Sequence, residues 1–211
     1  GKNGYQFFSS AIEQQTRQRL ELEQALREAC TREQFRLVYQ PIYDLRSGRV
    51  ASAEALLRWN HPQRGAVSPA EFIPVAEECG LIPEIGLVVL RRVAADLAGL
   101  AAKGLAIPPL AVNLSFRQFA RSEGEALFFR ELDRLGLAPD RIEFELTESV
   151  SLDEAQGGRA LVERLEARGY RLAVDDFGTG YSSLGALCGM TNAKLKIDRS
   201  LIRAMGAGNR G

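Results

Sequence analysis

Histidine, cysteine, tryptophan and methionine are scarce in this 211-residue chain, with one, three, one and two copies. A single imidazole, His61, excludes a His–His metal site, a two-His–carboxylate triad and an HExxH helix. Cys30, Cys79 and Cys188 are odd in number and far apart. They make neither a disulfide framework nor a zinc motif, and they fit a reducing compartment, the cytoplasm. No apolar run reaches the roughly 18 residues that span a bilayer. The greasiest stretch, LIPEIGLVVL at 81–90, is too short and carries Glu84. An excess of charge is missing too: 27 basic side chains balance 27 acidic ones. That balance argues against broad capture of DNA, RNA or anionic membranes, and leaves room only for a local basic patch.

What is present is the composition of a soluble globular domain, 45% apolar and 26% charged. The length suits one domain, or one and a fraction. The chain opens on Gly1 and closes on MGAGNRG, where no helix or strand is expected. Both ends therefore read as cuts in a longer protein.

Residues 10–30, rich in Glu, Gln, Arg and Leu, predict a surface helix. FRLVYQPIY at 35–43 and the run 49–59 predict two strands joined by a turn at 44–48, a hairpin. Ser68-Pro69-Ala70-Glu71 combines a capping serine, a proline at the first helical position and a capping-box Glu. The helix it opens should stop at Gly80, before a longer one at 83–103. Strands at 110–114, 141–148, 171–176 and 193–198 then alternate with helices near 116–120, 122–135, 154–168 and 182–188. Repeated strand–helix units imply an α/β fold with a mostly parallel sheet, either a barrel or doubly wound. Six strands are fewer than the eight of a closed (β/α)8 barrel.

Acid inside strands is the unusual feature. Glu54 interrupts VASAEALLRW, and in RIEFELTE the residues Glu143, Glu145 and Thr147 share one face while Ile142, Phe144 and Leu146 share the other. Asn113 and the pair Asp175–Asp176 end two further strands. Any one of these would serve as a solvent-facing residue or an ion-pair partner. Four strands that each carry such a group toward the C-terminal end match the place where barrel enzymes build active sites. The donors Glu54, Asn113, Glu145, Asp175 and Asp176 are all oxygen, which suits Mg²⁺ or Mn²⁺. Adjacent aspartates allow a two-ion site that clamps a phosphoryl group. Lys196, inside LKID, is either an edge-strand surface residue or an ammonium held by those acids, able to orient or deprotonate water. Arg58, on the strand face of Glu54, is placed to meet a phosphate.

EALLRW at 54–59, NLS at 113–115, ELTES at 145–149, DDFGTGYSSL at 175–184 and KIDRS at 196–200 together resemble the EAL-domain family, cyclic di-GMP phosphodiesterases. YQP at 39–41 and SPAEFIPVAEECGLI at 68–82 fit the same pattern, in register from about residue 20 to about 203. The resemblance implies a TIM-like barrel with an antiparallel first strand, apparently incomplete at its C-terminus. It implies hydrolysis of cyclic di-GMP to linear pGpG with Mg²⁺ or Mn²⁺. By motif, Glu54, Asn113, Glu145 and Asp175 would hold one ion, with Asp175 bridging to a second that Asp176 also binds. Lys196 would act on the nucleophilic water. Glu148 would anchor the 177–184 loop, through which such domains form homodimers. Gln40, Arg58 and Asp198 match substrate-pocket positions. Residues 1–30 resemble the end of an upstream GGDEF-like domain and its linker helix, and 31–211 an EAL domain lacking its last two strand–helix units, including a further Glu metal ligand. The competing reading is an EAL module that binds cyclic di-GMP or a protein partner without turnover. An enolase-like lyase on the same barrel leaves DDFGTGYSSL unexplained.

Overall fold

A computed structural model describes residues 10–147, 156–177 and 193–207. Helix α1 (Ser10–Thr31) comes first. Strand β1 (Phe35–Tyr43) and strand β2 (Val50–His61) form the expected hairpin, antiparallel from Phe35↔Trp59 to Tyr43↔Val50. Strand β3 (Gly65–Val67), helix α2 (Pro69–Glu78), helix α3 (Ile82–Ala102) and strand β4 (Leu110–Leu114) follow. A 3-10 turn (Phe116–Phe119) and helix α4 (Ser122–Leu135) lead to strand β5 (Ile142–Thr147). Helix α5 (Gln156–Ala167), strand β6 (Arg171–Phe177), strand β7 (Lys194–Ile197) and a last helix, α6 (Arg199–Ala207), complete the described chain.

The sheet order is β1-β2-β4-β5-β6-β7, with β3 added to the far end of β2. From β2 through β7 the neighbours along this path run parallel. Among the described residues β1 and β7 do not pair, so the sheet is open. It is a TIM-like α/β arrangement with an antiparallel first strand.

Alternation along the strands sorts residues to two faces. One face carries Ala55, Val112, Phe144, Leu146 and Leu172 into a core closed by Leu90 and Val93 of α3, Phe128 and Leu132 of α4, and Leu161 and Leu165 of α5. Tyr170 ties into this core and donates its hydroxyl to the Leu137 carbonyl at 2.6 Å. Glu54, Glu143, Glu145 and Asp175 belong to the opposite face. A second core joins α1 to the hairpin: Leu22, Leu26 and Ala29, spaced as one helical face, meet Phe35, Trp59 and Phe72. The three rings stand 5.6–5.9 Å apart, and burying each stabilises the fold by about 1.5–3 kcal/mol. Trp59 keeps its indole N–H satisfied by Gln34 Oε1 at 3.0 Å.

Four local expectations need correction. Strand β2 runs on to His61, because its end pairs with β3 through Asn60↔Ala66 and His61↔Gly65. Strand β3 itself is three residues long, too short for periodicity to reveal. Ser68 does not cap α2 with its side chain; its carbonyl accepts from Glu71 N at 2.9 Å and Phe72 N at 3.1 Å. Helix α6, started by Asp198, whose Oδ1 accepts from Ser200 N at 2.7 Å, takes in Met205–Ala207, the first three residues of the tail expected to lack structure; the rest of that tail lies outside the described residues. The helix expected near 182–188 lies outside the described residues.

Candidate active site

Three strand carboxylates and one ammonium meet on the face away from the helices. Lys196 Nζ, on β7, donates to Glu145 Oε2 of β5 at 2.6 Å, Asp175 Oδ2 of β6 at 2.9 Å and Glu54 Oε2 of β2 at 3.2 Å. One ligand atom from each of Glu54, Glu145 and Asp175 lies within 4.8 Å of the others. Asn113 on β4 joins them, its Nδ2 donating to Glu54 Oε1 at 2.8 Å. Sheet register brings these residues together: Asn113 stands beside Glu145, and Asp175 beside Thr147.

Three carboxylates facing one ammonium leave two negative charges in excess when all are ionised. Glu145 is 1% exposed, and its Oε1 is buried with no hydrogen-bond partner. Such an orphaned acceptor costs about 1–3 kcal/mol. Burial pushes the Glu145 carboxyl up to about 7; Glu54 and Asp175 reinforce the shift and Lys196 opposes it. Burial alone would lower the Lys196 pKa, but its bonds to Glu145 and Asp175 hold it above the ordinary lysine value. The excess negative charge, the all-oxygen donor set and the orphaned Oε1 all fit a divalent cation.

Asp176 follows Asp175 where β6 departs from regular pleating. Its backbone lies in the left-handed region, φ 57°, and the β6–β7 register slips between Val174 and Phe177. Burial and the nearby charges of Asp175 and Asp198 raise its carboxyl pKa.

The other positions singled out by the sequence are dispersed around this cluster. Gln40 is exposed on β1, paired in register with Glu54. Arg58, partly buried, donates Nη1 to the Leu57 carbonyl at 2.8 Å. Asp198 is engaged as the cap of α6, and hydrogen bonds from Ser200 hold its carboxyl below the usual aspartate value. Glu148 and nearly all of the 177–184 loop lie outside the described residues.

Sequence reasoning missed Gln118 in the 3-10 turn. It is 6% exposed with an unpartnered Oε1, and its amide rests on Gly86 of α3, where a Cβ would come within 2.7 Å of Nε2. The only trace in the sequence is a glycine inside an otherwise apolar helix. Gln118 borders a cavity of about 250 Å³ between the sheet and α2–α3, lined by Ile73, Ile85 and Val89, with Arg58 and Asn113 also on its wall. Ser115, also on its wall, donates its hydroxyl to Glu77 Oε1 at 2.6 Å.

Residues 23–211 match the family described as EAL domain. The chain is 40% identical over 205 residues to the bifunctional diguanylate cyclase/cyclic di-GMP phosphodiesterase MucR of Pseudomonas aeruginosa, which covers 97% of this chain and 30% of that protein. It is 39% identical over 210 residues to the cyclic di-GMP phosphodiesterase NbdA of the same organism, covering all of this chain and 27% of the relative. The chain thus spans less than a third of the length of either. The solved PaMucR phosphodiesterase in complex with c-di-GMP superimposes with a TM-score of 0.78 and 39% identity, over 88% of this chain and 75% of that one. Fold, motifs and these likenesses agree: the chain belongs to the EAL domain family.

Proposed function

We propose that this chain carries the catalytic face of a metal-dependent phosphodiesterase that hydrolyses one phosphodiester of cyclic di-GMP to linear pGpG. The observation that carries the reading is Lys196 held by three strand carboxylates, with excess negative charge and an orphaned Glu145 oxygen beside it. The naming of MucR and NbdA as cyclic di-GMP phosphodiesterases and the c-di-GMP complex of PaMucR support the choice of substrate.

Glu54, Asn113, Glu145 and Asp175 would hold one Mg²⁺ or Mn²⁺, and Asp175 with Asp176 a second. Bound there, the ions supply charge neutralisation at the phosphoryl oxygens and a lowered water pKa. The protein supplies position. Asn113 fixes the Glu54 carboxylate through its amide. Lys196, locked by three contacts, presents an ammonium that orients the attacking water. Arg58, two pleats along β2 from Glu54 and on the same strand face, would bind a phosphate oxygen. Glu148 would tie the site to the loop and to homodimerisation. Residues 1–30 would connect this domain to an upstream GGDEF-like domain.

The test is conversion of cyclic di-GMP to pGpG by the full-length protein that contains this chain, with Mn²⁺ and after chelation. Metal-dependent turnover, reduced by more than about a hundredfold in Glu54→Ala, is expected, since even outer-shell changes at metal sites cost tenfold to a hundredfold. Tight binding of cyclic di-GMP without hydrolysis would identify a sensor module instead.

A further inference from the structure

The end of the sheet opposite the carboxylate cluster has a different chemistry. Hydrogen bonds hold the starts of the parallel strands side by side there: Ala53 N donates to Pro109 O at 3.0 Å, Leu110 N to Arg141 O at 2.8 Å and Arg171 Nη2 to Asp140 O at 2.9 Å. The β1–β2 turn, residues 44–49, projects from the same end. At about 4.8 Å per strand, the row is about 15 Å wide.

Of the nine large apolar residues exposed among the described residues, Tyr43, Leu45, Val50 and Leu105 lie at this end. Leu45, at the turn, is 97% exposed. Arg46, Arg49 and Lys103 alternate with them in sequence. Most arginines elsewhere are ion-paired, yet these three cations have no carboxylate partner among the described residues. Arg171, also exposed, donates only to a carbonyl. The carboxylates at this end include Asp140, Asp44, held inside the turn by Ser47 N at 2.7 Å, Asp133, 3.9 Å from Arg168, and Glu143, paired with Lys194.

We infer that this end of the sheet docks on an anionic lipid surface, with Leu45 entering the headgroup region and Arg46, Arg49, Lys103 and Arg171 meeting lipid phosphates. An apolar tip ringed by cations is the pattern of an interfacial anchor. A second copy fits poorly, because a twofold contact would face these cations with one another. The carboxylate cluster lies about 13 Å further along β2, four residues at ~3.3 Å each, and would stay turned to the solvent.

Cosedimentation of the full chain with mixed phosphatidylglycerol–phosphatidylethanolamine vesicles, against pure phosphatidylcholine vesicles, tests the docking. Binding to the anionic vesicles alone is expected, and it should weaken with added salt. Each cation near such a surface contributes about fivefold, so Arg46→Glu/Arg49→Glu should cut partitioning by more than about twentyfold. Leu45→Trp should show an emission blue shift only with anionic vesicles. All three positions are exposed in the turn, and circular dichroism should be unchanged. Equal binding to both vesicle types, no binding to either, or no response to Arg46→Glu/Arg49→Glu overturns the inference. A change of oligomeric state in Leu45→Asp with vesicle binding intact also overturns it and marks the face as an interface between copies.

Discussion

Strands β5 and β7 carry two Glu–Lys pairs, one pleat repeat apart, and they behave differently. In the lower pair, Lys194 meets both oxygens of Glu143, at 3.0 and 2.7 Å. Cation and anion match one to one, and nothing is left over. In the upper pair, Lys196 bonds only one oxygen of Glu145 and is shared with Glu54 and Asp175. The same two residue types thus make a closed ion pair in one layer and an unbalanced cluster in the next. A single alternation of the strand separates the balanced pair from the unbalanced one.

The sharpest way to break this comparison is to exchange the effects of the two layers. Glu145→Gln should lower cyclic di-GMP turnover by more than about a hundredfold, while the melting temperature stays level or rises, because a buried carboxylate with an orphaned oxygen is removed. A fall in stability with turnover retained would show that the upper layer is merely structural. Lys194→Ala is the mirror experiment. It strands Glu143, whose side chain is 4% exposed, and should cost about 1–3 kcal/mol in urea denaturation, with turnover changed far less than in Glu145→Gln.

The smallest effect lies outside both layers. Glu131 on α4 accepts from Arg134 Nε at 2.8 Å and Nη2 at 2.7 Å, and from Arg91 Nε at 2.5 Å. Arg134 and then Arg91, against the opposing cost of burial, hold its carboxyl down at about 2, below the ordinary value of 4.5. A depressed carboxyl stabilises the fold fully above its unfolded value. Its contribution should therefore fade as pH drops from about 4.5 toward 2. Both arginines are more than half exposed, so the contribution is at most about 1 kcal/mol. Urea midpoints should fall through this acid window in the wild type and less steeply in Glu131→Gln.

Much of this arrangement is legible in the sequence, and the exceptions have physical causes. Strands 35–43 and 110–114 match residue for residue, because hairpin alternation and a short buried apolar run are local signals. The acids inside strands pointed to the cluster, since a buried carboxylate must find a cation. Strand β3 was not legible, because it exists only as an extension of β2. Helix α6 is hidden by Gly206 near its end, although Asp198 before it is a good N-cap. The cationic end escaped notice because its charges come from segments far apart in sequence and converge only through the strand register.

The slip in β6 has a consequence in the arithmetic of parity. In a regular strand, neighbouring residues point to opposite sides, so two consecutive aspartates could not serve one site. From Val174 to Phe177 strand β6 advances three residues while β7 advances two, from Leu195 to Ile197. That single extra residue, with Asp176 left-handed, suspends the odd–even rule at the point where the two acids occur. Deleting one residue there would restore a regular strand and leave a single carboxylate at the site. Under the proposed two-ion reading, this irregularity is what would let Asp176 join Asp175 at one site.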